Sequence, residues 1–505
     1  MKVSIFFALV VLLCTAIHPA VAQNAATTAG EIQHLQQLNQ KFPHSSPEVQ
    51  SSPLFIPQFE TDNDDHGMIS SYQPNGQTVT AGNPFFRNLG TNGRTCFTCH
   101  EPQNGWGLSS DDAAARFAAD PSDPLFRSID GATCPSDDVS TPANMAAAYS
   151  LLTGKGLIRI GLPILPSFNF TIDKVVSDTT GGCNNGTDTG IAAGFVSFYR
   201  RPLPSTNLGF ITGIMWDTRE PSLFHQAMDA TLGHAQAARS PATPLLNQIV
   251  SFEGCNFAAD SNDCTVIAPG NGVFTAQSAD TNAGDLTDGG ATGGPVNLYQ
   301  NMNNFILGLN DPFGQSFNPA VFNTYDAWSK LTGVDPQTQA RLALYRGEQV
   351  FNNVQFKITD VPGLNDVQGK DPITGTCSTC HNNADVGNHS SNMTVDIGVT
   401  GASPPKNTID VSGLPVFSVQ CNDPKFNKGK PLIVTDLGVA MVTGQCADIG
   451  KTKVPIIRGI AGRSPYFHNG GAPEITNLIE FYNQRFNIGL TDQQKADLAV
   501  FLESL

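Results

Sequence analysis

The chain is expected to be mainly α-helical, built as two related units with long loop-rich insertions, and three observations predict this. The pattern Cys-x-x-Cys-His occurs twice, at Cys96-Phe97-Thr98-Cys99-His100 and at Cys377-Ser378-Thr379-Cys380-His381. Apolar residues at helical spacing precede the second copy and close the chain. The 505 residues include 48 Gly and 34 Pro, short of a disordered composition but enough for long ordered loops.

The elements follow in order. Lys2, the apolar run Val3 to Ile17 and Ala20-Val21-Ala22 before Gln23 have the charged, apolar and small-residue order of a secretory leader, residues 1–22, cleaved after Ala22. Cys14 is preceded by Val-Leu-Leu, where a lipid-attachment signal would carry small residues. The apolar run is short for a membrane span and no later stretch is long enough, so a mature periplasmic or secreted protein without a span is expected. Residues 23–80 read as a polar lead-in with one helix candidate, Glu31 to Phe42. The first unit covers 81–240, with Phe85, Phe86 and Leu89 ahead of its motif. Residues 241–340 form an insertion or linker, and Cys255 to Gly294, rich in Gly, Asn, Asp and Thr, reads as an irregular excursion. In the second unit, 341–505, a helix-like run carries Leu342, Leu344, Tyr345, Val350 and Phe351. The terminal helix is marked by Thr491 with Gln494 as a capping box and by Leu498, Phe501, Leu502 and Leu505.

Cys-x-x-Cys-His is the attachment pattern of c-type haem. The two thiols add to the haem vinyl groups and the adjacent imidazole becomes the proximal iron ligand, so Cys96, Cys99, His100, Cys377, Cys380 and His381 are the cofactor-binding residues, with His100 and His381 on the metal. A structural zinc site requires four closed ligands, and a redox dithiol requires no following histidine. Two covalently bound haems on one chain imply redox work.

Of the 11 cysteines, Cys14 leaves with the leader and four carry haem, and six remain for an oxidising compartment. Six cysteines allow 15 pairings and the sequence does not choose among them; the nearest-neighbour set is Cys134 with Cys183, Cys255 with Cys264 and Cys421 with Cys446, each stapling a loop-rich insertion. The formal net charge of -16 makes nucleic acid and anionic membranes poor partners, and would steer a locally positive redox protein toward the surface.

Further motifs make the likeness specific. Lys453-Val454-Pro455-Ile456-Ile457-Arg458, Ser464-Pro465-Tyr466-Phe467-His468-Asn469-Gly470 and Phe481-Tyr482 resemble the second domain of bacterial di-haem cytochrome c peroxidases and MauG-like enzymes. Met215-Trp216-Asp217-Thr218-Arg219-Glu220 resembles that family's Phe-Trp-Asp-Gly-Arg-Ala stretch. The likeness covers roughly 82–240 and 341–505, and implies two cytochrome c-like haem domains in which the terminal helix packs across the helix preceding the second motif.

The resemblance also implies roles. Trp216 would lie between the haems as an electron bridge, or serve as an ordinary core tryptophan. Tyr482, 14 residues after His468, stands where the peroxidases place a methionine and MauG-like proteins a tyrosine as distal ligand of the second haem; His468, His389 or Met393 are the alternatives. At the first haem, Gln226 matches the family's glutamine, but the helix expected from Leu223 to Arg239, with Pro221 in its first turn, offers His225, His234 and Gln236 where the family has an acidic residue. His234 could act as acid and base, close the iron as a sixth ligand, or lie at the surface. The resemblance further implies calcium between the domains, with Val442-Thr443-Gly444 as the matching segment. The expected function is reduction of hydrogen peroxide at the first haem, with electrons entering at the second from a small cytochrome or cupredoxin. MauG-like oxidation of a protein or organic substrate and non-catalytic electron transfer are the alternatives.

Overall fold

The computed structural model describes residues 19–41, 52–64, 67–254, 272–278, 293–301, 310–314, 316–404 and 408–505. The run Val3 to Ile17, Cys14 and the pair Cys255 and Cys264 lie outside the described residues, as does most of the central excursion.

The expectation of a mainly α-helical fold does not hold. The structure is 37% helix and 16% strand, and six small sheets of two or three strands are present among the described residues. The strands lie before, between and after the two motifs. Ile158–Pro163 and Phe195–Arg200 form an antiparallel hairpin. Phe170–Ser177 pairs with Val416–Cys421, which also pairs with Leu432–Val434. Each carries β-branched residues, joined by aromatic ones in three of the five, that suit a half-buried pleat, but the partner of Phe170–Ser177 lies more than 200 residues away and leaves no local trace. The sheet thereby joins chain from both halves of the sequence, over a core that includes Ile160, Phe198, Phe417, Val419 and Met441. The disulfides Cys134–Cys183 and Cys421–Cys446 are both present, with Cα atoms 5.3 and 5.8 Å apart.

The second motif is framed by helices. Pro336–Asn353 is capped by Asp335, whose side chain accepts the Thr338 N–H. The terminal helix Asp492–Glu503 begins at Thr491 with the capping box formed. The two helices pack together: a Cβ on Gly347 would fall 2.0 Å from the Asp497 carbonyl oxygen, so only glycine permits the approach. Arg346 pairs with Asp497 at 2.8 Å beside the crossing. Directly ahead of the first motif stands the short 3-10 turn Pro84–Phe86. Its Phe85 and Phe86 pack with Phe97, Trp106 and Phe252, the last from helix Thr243–Glu253.

The lead-in helix is longer than expected, Pro19–Lys41 rather than Glu31 to Phe42. Alanines through its first half favour helix, and Pro19 suits a helix start. It is wedged into the molecule: Glu31 pairs with Arg219 at 3.0 Å, the Thr27 hydroxyl donates to the Met441 carbonyl at 3.1 Å, and His34 stacks on Phe195 at 3.7 Å. No described helix is long and apolar enough to cross a membrane.

Candidate functional site

Each Cys-x-x-Cys-His motif folds as the same local device. A threonine, Thr95 or Thr376, caps a 3-10 turn over the first three motif residues through a capping box closed by Thr98 or Thr379. The turn directs both thiols and the imidazole of each motif into one cavity. His100 Nδ1 donates to the Trp106 carbonyl at 2.9 Å, and His381 Nδ1 donates to the Gly387 carbonyl. Those bonds fix the tautomer and leave Nε2 free to ligate, the usual support of a metal-bound histidine. Burial pushes His100 down to about 4, so the imidazole is neutral and its lone pair available. The four cysteines are free thiols, and burial pushes Cys377 and Cys380 up to about 12.

The second cavity is walled by apolar side chains such as Val350, Phe351, Val399, Leu478 and Leu502. Against that lining stand buried polar atoms that make no hydrogen bond among the described residues, Arg201 Nη1, Arg463 Nη1 and the Tyr466 hydroxyl, and His468 Nε2, which lies 3.8 Å from Asp436. Two guanidinium groups left unpaired in an apolar cavity are costly, and they suit a ligand that is flat, apolar and carries carboxylates. Haem has that chemistry, so the residues present fit it.

Tyr482, on helix Ile475–Arg485, borders this cavity together with His381 and His468. Burial raises the Tyr482 phenol above its ordinary value. Met393 packs against the same apolar cluster as Cys380 and Tyr482. His389 is buried with Nδ1 near Ser391, close enough to His381 for their charges to interact, but it does not itself line the cavity. Trp216 also borders the second cavity; its indole N–H donates to the Arg201 carbonyl at 2.8 Å and its ring meets His468 edge-on at 6.1 Å. Its neighbour Met215 borders the first cavity. Pro202, Leu203, Pro204, Lys453 and Ile456 line both, so the two cavities share a wall.

The helix over the first cavity runs Leu223–Gly233, not to Arg239, and Gln236 beyond it takes a positive φ of 56°. Ser222 caps it by accepting the His225 N–H, so Pro221 precedes the cap instead of opening the first turn. Helical spacing sends Leu223, Gln226, Ala227, Ala230 and His234 to the cavity. His225 is turned away, with Nδ1 2.7 Å from the Ser222 hydroxyl. Gln236 accepts from Asn92 at 3.1 Å. Gln226 and His234 are therefore brought together with His100.

Sequence reasoning missed the charged groups around them. Asp130 receives His234 Nδ1–H at 2.5 Å and pairs with Arg94, all three bordering the cavity. Burial opposes the Asp130 charge, but Arg94 and His234 overcome it and hold the carboxyl at about 2. Glu253, at the end of helix Thr243–Glu253, supplies a second acid, which burial pushes up to about 8 and keeps neutral at pH 7. Only Arg200-Arg201, two adjacent cations in an acidic chain, could have signalled a buried charge site. Asp130 and Glu253 carry no local signature.

Trp216 is followed by a buried ion network: Asp217 pairs with Arg200 at 2.6 Å and Arg219 at 2.9 Å, and Arg200 with Asp436 at 2.7 Å. In the segment Val442-Thr443-Gly444, the Thr443 hydroxyl donates to Asp448 at 2.8 Å and the Gly444 carbonyl accepts the Asn169 N–H at 2.9 Å. No group of three or more His, Cys, Asp or Glu side chains among the described residues is placed to hold a metal ion.

No family model matches the chain. Over 78 residues it is 33% identical to the cytochrome-c peroxidase IdrP2 of Denitromonas iodatirespirans, covering 14% of this chain and 21% of that protein. Cytochrome-c peroxidase IdrP1 of the same organism is 32% identical over 81 residues, 14% of this chain and 22% of that one. Cytochrome-c peroxidase IdrP1 of Pseudomonas sp. (strain SCT) is 31% identical over 81 residues, 14% and 21%. The chain spans about a fifth of the length of the curated relatives it matches. Among solved structures, a MauG-like protein associated with microbial copper homeostasis matches at a TM-score of 0.27 and 15% identity, over 61% of this chain and 76% of that one, and a likeness so slight carries no argument. A distant relationship to cytochrome-c peroxidases is thus supported over a short stretch.

Proposed function

We propose that this is a two-haem c-type oxidoreductase that reduces hydrogen peroxide at the first cavity with electrons entering at the second. The observation that carries the reading is the repetition of one device: two thiols and a tautomer-fixed histidine facing an apolar cavity, twice, across a shared wall. The distant cytochrome-c peroxidase relatives support the same class. Bound haem would supply one-electron redox chemistry and a site for a small oxygen ligand.

The protein's own residues supply the rest. Reduction of peroxide consumes two electrons and two protons and yields two waters, so the first cavity requires a proton carrier and a hydrogen-bond donor beside the bound oxygens. His234, held by Asp130, is the proposed carrier, and Gln226, about two turns earlier on the same face, is the proposed donor. Trp216 is the proposed bridge, and the electron donor a small cytochrome or cupredoxin delivering one electron at a time. Tyr482 in the second cavity favours a second reading, MauG-like oxidation of a protein or organic substrate, because a phenolate ligand stabilises the oxidised metal.

Electronic and electron spin resonance spectra of the purified holoprotein, before and after peroxide, test the proposal. A five-coordinate high-spin ferric haem that reacts with stoichiometric peroxide is expected. Two low-spin haems inert to peroxide would mark an electron carrier.

A further inference from the structure

The wall between the cavities contains a cation that neither the motifs nor the ion network explains. Lys453 borders both cavities, whereas Arg201 and Arg463 border only the second. Its place is fixed twice by backbone. The Lys453 N–H donates to the Trp216 carbonyl at 2.9 Å, and Nζ donates to the Gly213 carbonyl at 2.8 Å. An ammonium has three protons to donate, and a carbonyl neutralises none of its charge. Among the described residues no carboxylate forms an ion pair with it. Burial pushes it down to about 8, with Asp217 acting against this from a distance. It is still mostly protonated at pH 7.

A charged group enclosed without a counter-charge is strongly unfavourable unless something negative arrives. Each electron added to a haem on either side of the wall brings one negative charge, and haem carboxylates bring more. Low-dielectric surroundings strengthen the attraction of both to Nζ.

On the proposed two-haem reading, we infer that Lys453 is a charge shared by the two cavities, a positioning residue that raises the reduction potential of both haems together. Arg201, by its place, acts on the second haem alone. The two potentials are therefore coupled through one side chain, and the gap between them is set by groups that border a single cavity.

The test is potentiometric titration of the holoprotein with the two haems resolved by their spectra. Lys453→Met removes the charge and keeps the length; Lys453→Gln removes the charge and keeps a donor for Gly213. Either is expected to lower both midpoint potentials with ferric spectra unchanged, and Lys453→Arg is expected to restore both. Arg201→Met is expected to lower only the second. If Lys453→Met does not load haem, Lys453→Gln is judged by the same criterion, and loss of haem in both neutral variants with normal loading of Lys453→Arg also supports a charge role. A shift of one potential or neither, in a neutral variant holding two haems, overturns the inference. A haem count other than two in the wild-type protein overturns the underlying reading instead, so the two failures are distinct.

Discussion

His234 Nδ1 lies 2.5 Å from Asp130 Oδ2, although the two residues are 104 positions apart in the chain. Asp130 is ionised and can only accept, so the imidazole must place its proton on Nδ1 and leave Nε2 as the basic nitrogen. Arg94 holds the carboxylate from the other side. Asp130→Asn offers an amide that can donate or accept and no longer dictates the tautomer. The peroxide reaction of this variant is expected to slow on the order of 10²-fold, the scale of a positioned acid or base. Stopped-flow mixing measures it, and an unchanged rate would remove His234 from the chemistry.

Tyr482→Phe keeps the ring that packs between Phe467 and Phe486 and deletes the only atom that can bind iron. The expected result is a changed ferric spectrum at one haem with folding intact. If the spectrum stays as it was, His468, which borders the same cavity and whose Nε2 makes no hydrogen bond among the described residues, becomes the ligand to test.

Trp216→Phe should keep both haems attached with nearly normal spectra while slowing the step by which oxidation at the first haem is felt at the second. Phenylalanine is harder to oxidise and loses the bond from the indole N–H to the Arg201 carbonyl. Rapid mixing with peroxide, followed at both haems, reads the step. Wild-type inter-haem rates in a folded variant would exclude a bridge.

Asp217 gives a pH dependence with a defined sign. Burial disfavours its charge, but Arg219 and Arg200 hold it down from 3.8 to about 2. A depressed carboxylate contributes stability that is fully present above its unfolded value and is lost as pH falls through its folded value. Urea unfolding between pH 5 and pH 2 should therefore show a loss that begins near pH 4. Asp217→Asn leaves two buried arginines short of a partner and should cost roughly 3–5 kcal/mol at pH 7, with a flatter acid limb.

The parts of this protein legible in the sequence are those written in short, contiguous code. Both motifs, the Thr491 cap, the terminal stripe of Leu498, Phe501 and Leu502, and the pairs Cys134–Cys183 and Cys421–Cys446 depend on near neighbours. Gln226 and His234 were legible because one helix face carries them eight residues apart. The strands were not, because Val419 meets Ile172 across nearly half the chain. The helix end at Gly233 was missed because propensity runs on through Ala235 and Ala237 while the chain turns at Gln236. Arg463 and Arg201 were missed because a buried arginine differs from an exposed one only in its surroundings.

The strand pairing of Phe170–Ser177 with Val416–Cys421 has a mechanical consequence. Two haem units joined by a simple tether could swing apart, and the separation between their cofactors would then fluctuate with solvent and partner. Here one sheet takes strands from both halves of the chain, and Pro19–Lys41 is bolted to both through Glu31 and Thr27. On the two-haem reading proposed above, this interlock would hold the two cofactors at a fixed separation across the shared wall, and calorimetry should register one cooperative heat-absorption peak.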